Sequence, residues 1–135
     1  HWGHDISPEE NQYQAGLKFA ISYKKNIDFI GKEALMKIKD KELDKRLMMF
    51  TLKENKPGEP LLLHDEPIYL DDTIIGHTTS GNYSFCYEKN LSFGYVNSGN
   101  SYETLKDKNV FIEVEKKKYP VNILQKPLNN KDFKN

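Results

Sequence analysis

Residues 74–96 read IIGHTTSGNYSFCYEKNLSFGYV, and their pattern decides the fold. Ile74 and Ile75 open a β-branched run, aromatics follow at Tyr83, Phe85 and Tyr87, and Leu91, Phe93 and Tyr95 alternate with Ser92 and Gly94. A period of two marks strands that bury one face. Two interruptions are expected, a break at 78–82 (TTSGN) and a charged turn at Glu88, Lys89 and Asn90. Gly76, Gly81 and Gly94 lie inside or at the edge of these runs, where glycine marks a bulge, a tight bend or a close backbone approach. A small, sharply curved barrel needs such bends.

Working outward, 46–53 (RLMMFTLK) has few polar breaks and reads as a strand covered on both faces. Asn55, Pro57, Gly58 and Pro60 make 54–60 a loop, and 67–70 and 73–78 form a hairpin across Asp71 and Asp72. Residues 97–102 are a further loop. Val110, Ile112 and Val114 share one face of a strand that turns at Lys116 and Lys117 and returns through Tyr119, Val121 and Ile123. Short strands at near-regular spacing point to a closed or nearly closed antiparallel barrel.

The first third of the chain is different. Residues 1–17 are polar and turn-rich, with Ser7 able to cap a helical turn begun by Pro8 and Gly16 ending the segment. Phe19, Ile21 and Tyr23 alternate with Lys18, Ala20 and Ser22, which predicts a half-buried strand over 18–23. Ile30, Ala34, Leu35 and Ile38 recur at helical spacing, which predicts a helix over 26–43 with Gly31 as a cap and a Glu33–Lys37 pair on its wet side. Lys32, Lys37, Lys39 and Lys41 read as its solvated face. The fold class is therefore mainly β, a small antiparallel barrel preceded by an arm with one strand and one α-helix. Residues 129–135 are a polar, frayed tail.

Composition narrows the function. At 135 residues one domain with an arm is the natural size, and 20 Lys+Arg balance 20 Asp+Glu. That balance argues against a general nucleic-acid or membrane-surface binder, which carries a basic excess. A single cysteine, Cys86, excludes an internal disulfide framework and favours a reducing compartment, here assigned to the cytoplasm. No apolar run approaches the roughly 18–20 residues of a membrane span, and no signal-peptide core is visible. The chain starts at His1 with motif-like residues, so it is expected to be a fragment of a longer protein.

Candidate chemistry is sparse. His1, His4 and Asp5 are ligand-like but lack a matching second cluster, and His64 and His77 fall on other predicted elements, so no metal site is expected. Thr78, Thr79 and Ser80 beside His77 lack the G-x-S-x-G context of a serine nucleophile. Their hydroxyls are expected to satisfy backbone groups at a barrel bend. Cys86, between Phe85 and Tyr87, is expected to be packed and inert, and Lys116, Lys117 and Lys118 to be a solvated turn. Trp2 stands out: the sole tryptophan lies in a polar, Gly-containing segment, suited either to wall a flat bicyclic ligand or to pack against sequence preceding His1.

Several separated pieces resemble, in the same order, the C-terminal part of the dimethylglycine and sarcosine dehydrogenase family and the related glycine-cleavage T-proteins (aminomethyltransferases). They are 1–6 (HWGHDI), 15–17 (AGL), 28–35 (DFIGKEAL), 46–47 with 50–52 (RL, FTL), 75–81 (IGHTTSG), 91–96 (LSFGYV), 119–121 (YPV) and 127–128 (PL). The resemblance implies that 1–44 is the tail of a folate-binding aminomethyltransferase domain and that 45–128 is a C-terminal Greek-key barrel domain. In that family an FAD domain oxidises an N-methyl amine, and a folate domain captures the one-carbon unit on tetrahydrofolate as 5,10-methylenetetrahydrofolate. Carried over by position, Trp2 stands where T-proteins tend to have a tyrosine lining the folate pocket, Gly3 and Asp5 shape the same segment, and Phe19 lines the cleft or packs in the core. The catalytic aspartate and the flavin-binding elements are expected upstream of His1, so the partners implied are folate and the rest of the parent polypeptide, and this piece alone is expected to be inactive. The sequence departs from the family at Gln12 and Gln14, where Pro and Glu are usual, which removes a carboxylate at position 14. A free-standing aminomethyltransferase domain and a non-catalytic binding barrel are the alternatives.

Overall fold

A computed structural model describes residues 1–25, 27–54, 56–126 and 128. Six strands, β1 (Lys45–Leu52), β2 (Pro67–Leu70), β3 (Thr73–Ser84), β4 (Lys89–Asn97), β5 (Val110–Val114) and β6 (Lys117–Leu124), close a barrel in the order β1-β4-β3-β2-β5-β6. Every ladder is antiparallel. Strands β2, β3 and β4 follow one another by hairpins while β1 lies beside β4, which is the Greek-key arrangement. The expected fold class, a mainly β closed antiparallel barrel behind an arm, is what forms.

Alternation sorts the barrel into inside and outside. Met48, Phe50 and Leu52 of β1, Ile68 of β2, Val96 of β4, Val110 and Ile112 of β5 and Val121 of β6 point inward and form one cluster. Closure needs backbones to meet where side chains would not fit. A Cβ on Gly76 would lie 1.9 Å from the Tyr95 carbonyl oxygen, and one on Gly81 would lie 2.6 Å from that of Leu62. These glycines mark close backbone approaches, and at neither is the strand interrupted.

The break expected at 78–82 is absent: β3 runs through it with a bulge between Thr78 and Ser80, because the extra residue is absorbed without giving up the ladder. The turns also shift. Residues 85–88 make the β3–β4 turn, while Lys89 and Asn90 already pair with Ser84 and Tyr83. Glu115 and Lys116, both at positive φ, make the β5–β6 turn, leaving Lys117 in β6. The loop read at 97–102 ends at a short helix, α2 (Tyr102–Leu105), where Ser101 and Thr104 form a reciprocal cap. Leu105, fully buried, joins the barrel core.

The arm departs most from expectation. The strand expected at 18–23 is a 3-10 turn, Lys18–Ala20, and Phe19 is 86% exposed. A strand needs a neighbour to take up its backbone bonds, and no described strand lies beside these residues. The helix expected at 26–43 contracts to α1, Lys32–Ile38, with Gly31 as its N-cap at φ 88° and none of its residues buried. Seven residues whose apolar side chains at Leu35 and Ile38 are only half-buried are near the lower limit of helix stability. Ile30 lies outside the helix and fully exposed. Asn26 and the tail at 129–135 lie outside the described residues.

Candidate functional site

The first six residues form a tight loop. The Gly3 N–H donates to the Ile6 carbonyl at 2.8 Å, and the His4 and Asp5 N–H groups donate to the His1 carbonyl at 3.2 and 2.8 Å. Gly3 sits at φ 87°, a left-handed value that favours glycine. Trp2, bridged to Ile6 through the backbone, projects an indole that is 70% exposed. Of the four residues singled out in the sequence, Trp2, Gly3 and Asp5 thus share one loop, while Phe19 stands on the 3-10 turn with its ring also open.

Asp5 is the opposite of its neighbour, only 8% exposed. Its Oδ1 accepts from the Thr79 hydroxyl at 2.5 Å and the Ser80 hydroxyl at 2.7 Å, and its Oδ2 from the His1 nitrogen at 2.5 Å. Its carbonyl accepts from the Tyr95 hydroxyl at 2.9 Å. Burial pushes the carboxyl up, but the His1 nitrogen and the two hydroxyls outweigh it and hold the group below the ordinary aspartate range. Thr79 and Ser80 therefore serve a side chain, contrary to the expected backbone role. Thr78 alone fills that role, accepting the Glu66 N–H at 3.0 Å.

A second layer surrounds this contact. Ser7 gives its N–H and hydroxyl to Glu10 Oε2 at 2.7 and 2.6 Å, and Lys45 of β1 reaches Glu10 Oε1 at 2.5 Å while lying 5.1 Å from the centre of the Tyr95 ring. Burial, then the charges of Glu10 and Asp5, push the Tyr95 hydroxyl up to about 12, so it remains a donor at physiological pH. Gln14, buried, donates its side-chain amide to Asp44 Oδ1 at 2.5 Å, and its backbone carbonyl takes the Leu47 N–H at 2.8 Å, level with the part of β1 that β6 does not reach. The arm is thus sewn to the outside of β1, β4 and β3. Sequence reasoning missed Thr79, Ser80, Tyr95, Glu10 and Lys45 as members of the site, because the contacts of the first three to Asp5 span 74 to 90 residues, the Glu10–Lys45 pair spans 35, and neither leaves a local pattern.

Two expectations about reactive groups change. Cys86 is exposed on the β3–β4 turn, since the residues between the strands cannot reach the core. His64 does approach the first histidines: the His1 and His4 ring centres are 4.8 Å apart and those of His4 and His64 5.4 Å, each pair edge-on. Among the described residues no three His, Cys, Asp or Glu side chains are placed to hold one metal ion, and no helix is long and apolar enough to cross a membrane. A cleft of about 440 Å³ between arm and barrel, lined by Tyr13, Gly16, Arg46, Met49, Phe93 and Lys126 among others, contains neither Trp2 nor Phe19.

The architecture defines a closed six-stranded antiparallel barrel carrying a hydrogen-bonded N-terminal arm. Residues 45–129 match the model of the glycine cleavage T-protein C-terminal barrel domain, and the chain belongs to that family. Over 127 residues, 94% of this chain and 14% of the relative, it is 36% identical to the mitochondrial dimethylglycine dehydrogenase of Homo sapiens. It is 34% identical to an aminomethyltransferase of Listeria welshimeri over 93% of this chain and 33% of that one. With 4-methylaminobutanoate oxidase (formaldehyde-forming) of Paenarthrobacter nicotinovorans it shares 40% identity over 62% of this chain and 10% of that one. The crystal structure of glycine cleavage system aminomethyltransferase T from Bartonella henselae superposes with a TM-score of 0.72 over 91% of this chain and 33% of that chain, at 20% identity, a likeness of fold. The chain therefore spans a third or less of the length of these relatives.

Proposed function

We propose that this chain is the C-terminal part of an FAD- and tetrahydrofolate-dependent oxidoreductase that demethylates an N-methylglycine, dimethylglycine or sarcosine, and that it helps to bind tetrahydrofolate. The observation that carries the reading is an open indole, Trp2, on a loop whose Asp5, three residues on, is buried and tied to the barrel. A large aromatic surface held out of a core, on a rigid support, suits a flat pterin ring. Gly3 gives the loop its turn and Phe19 offers a second open ring. The extended match to dimethylglycine dehydrogenase supports the substrate class.

In this reading residues 1–44 complete the folate-binding domain of the parent and 45–128 are the barrel that backs it. Tetrahydrofolate, when bound, takes up the one-carbon unit and leaves as 5,10-methylenetetrahydrofolate. FAD would be held by sequence outside these residues. The parent is placed in the cytoplasm, where a lone exposed thiol such as Cys86 stays reduced. The balanced charge gives no electrostatic reason for a nucleic-acid or membrane-surface partner.

The similarity to aminomethyltransferases over almost the whole chain favours one second reading, a T-protein that works with a lipoyl carrier and no flavin. The parent polypeptide, incubated with dimethylglycine and tetrahydrofolate, is expected to reduce its flavin and form 5,10-methylenetetrahydrofolate. A parent with no flavin absorbance, active only with an aminomethylated lipoyl carrier, would establish the second reading.

A further inference from the structure

We propose that Asp5 is a positioning residue which, through Thr79 and Ser80 of the β3 bulge and Tyr95 of β4, fixes the direction in which Trp2 faces its ligand. The proposal rests on the reading of Trp2 as a wall of the folate pocket and adds to it the means by which the barrel takes part. Trp2 is not held by packing, for its ring is mostly in solvent. Its loop is closed by its own backbone bonds, yet those bonds leave it free to swing relative to the barrel. Asp5 removes that freedom. Three hydroxyl donors on two adjacent strands converge on this one residue, two on a carboxylate oxygen and one on the carbonyl. Two separate atoms of Asp5, Oδ1 and the backbone carbonyl oxygen, are thereby held to the barrel, and hydrogen bonds to a charged acceptor are the strong kind.

The bulge makes this possible. In a regular strand successive side chains point to opposite faces, so Thr79 and Ser80 would not both meet the same oxygen. The register shift between Thr78 and Ser80 sets two residues of β3 against one position of β4. Thr78 then turns inward, buried, while both following hydroxyls face the arm. Bulges of this kind re-aim side chains next to functional sites. An anchor serving stability alone would not need to sit three residues from an open indole.

The 135-residue chain holds one tryptophan, so its fluorescence reports on Trp2 alone. In the double variant Thr79→Val, Ser80→Ala, the fast local component of the Trp2 anisotropy decay is expected to grow. Barrel unfolding should be almost unmoved, because the loop's own backbone bonds and the barrel ladders are left intact. Thr79→Ser, which keeps the hydroxyl, is expected to behave as the parent sequence. An indole equally restrained in the double variant would overturn the proposal, as would equal loosening in Thr79→Ser. Should the double variant fail to fold, Tyr95→Phe decides: it keeps the ring beside Lys45 and removes only the bond to the Asp5 carbonyl, so a freer indole supports the proposal and an unchanged one overturns it. None of these measurements uses a ligand. If they hold while Trp2→Ala leaves tetrahydrofolate binding by the parent polypeptide unchanged, it is the pocket reading that falls.

Discussion

At the scale of single residues, a carboxylate taken out of water stays charged only where donors replace the water, and Asp5 has them from the barrel in the Thr79 and Ser80 hydroxyls. Its folded value lies below the ordinary 3.8, so it adds stability above that pH, and the contribution is lost as pH falls through the depressed value. Glu10, against burial, is lowered by Lys45 and Ser7, and Asp44 is lowered first by Gln14, so both act in the same sense. Glu66 runs the other way: burial raises it, and it opposes folding until the pH falls through that raised value. Amide exchange is therefore expected to show the arm at 1–17 attached from neutral pH down to about pH 4 and released below it, before the barrel opens. An arm that loosens between neutral pH and pH 5 would contradict this. Gln14 gives a second test. Its amide donates to Asp44, which a carboxylate cannot do, so Gln14→Glu would set two carboxylates within hydrogen-bond distance. The variant is expected to lose about 1–3 kcal/mol at pH 7 and to recover much of it near pH 4, where the pair can share a proton, as read by denaturant titration at the two values. The amide at position 14 is thus matched to the Asp44 carboxylate.

At the scale of elements, the barrel was legible in the sequence wherever a strand buries one face. The alternation in β4, β5 and β6 and the nearly unbroken apolar run of β1 give strands within one or two residues of those found, and the aspartate pair at 71–72 gives the β2–β3 turn. The bulge was hidden because Thr-Thr-Ser-Gly-Asn has the composition of a turn, and only the partner strand shows that the ladder continues. The arm misled for a related reason: Phe19, Ile21 and Tyr23 have the period of a strand, but period states a preference for a partner and does not supply one. α2 was missed because four residues are too few to show a helical period. Two substitutions test which parts carry the barrel. Gly76→Ala places a Cβ 1.9 Å from the Tyr95 carbonyl oxygen, inside a ladder that cannot yield, and is expected to cost about 3 kcal/mol or more, or to prevent folding. Leu105→Ala removes the buried side chain that α2 adds to the core and is expected to cost about 2–5 kcal/mol with the fold retained. Thermal and denaturant unfolding measure both; a Leu105→Ala midpoint equal to that of the parent chain would mean that α2 is an ornament on a core complete without it.

At the scale of the whole molecule, burial is uneven. The barrel has a continuous interior, whereas the arm leaves Trp2, Phe19, Ile27, Phe29, Ile30 and Met36 open. These open side chains belong to a chain a third or less as long as the relatives it matches. The polar bonds of Asp5, Glu10 and Gln14 hold the arm that carries them against the barrel. Family and fold follow from the sequence match and the topology, while the proposed folate pocket rests on one exposed indole. Its most direct measurement is the dissociation constant of tetrahydrofolate for the parent polypeptide with and without Trp2→Ala, alongside the rate at which dimethylglycine reduces the flavin. A dissociation constant raised about tenfold, the loss expected for one stacked aromatic contact, with flavin reduction unchanged, is the expected result. Equal affinity in the two proteins would show that Trp2 faces something other than folate.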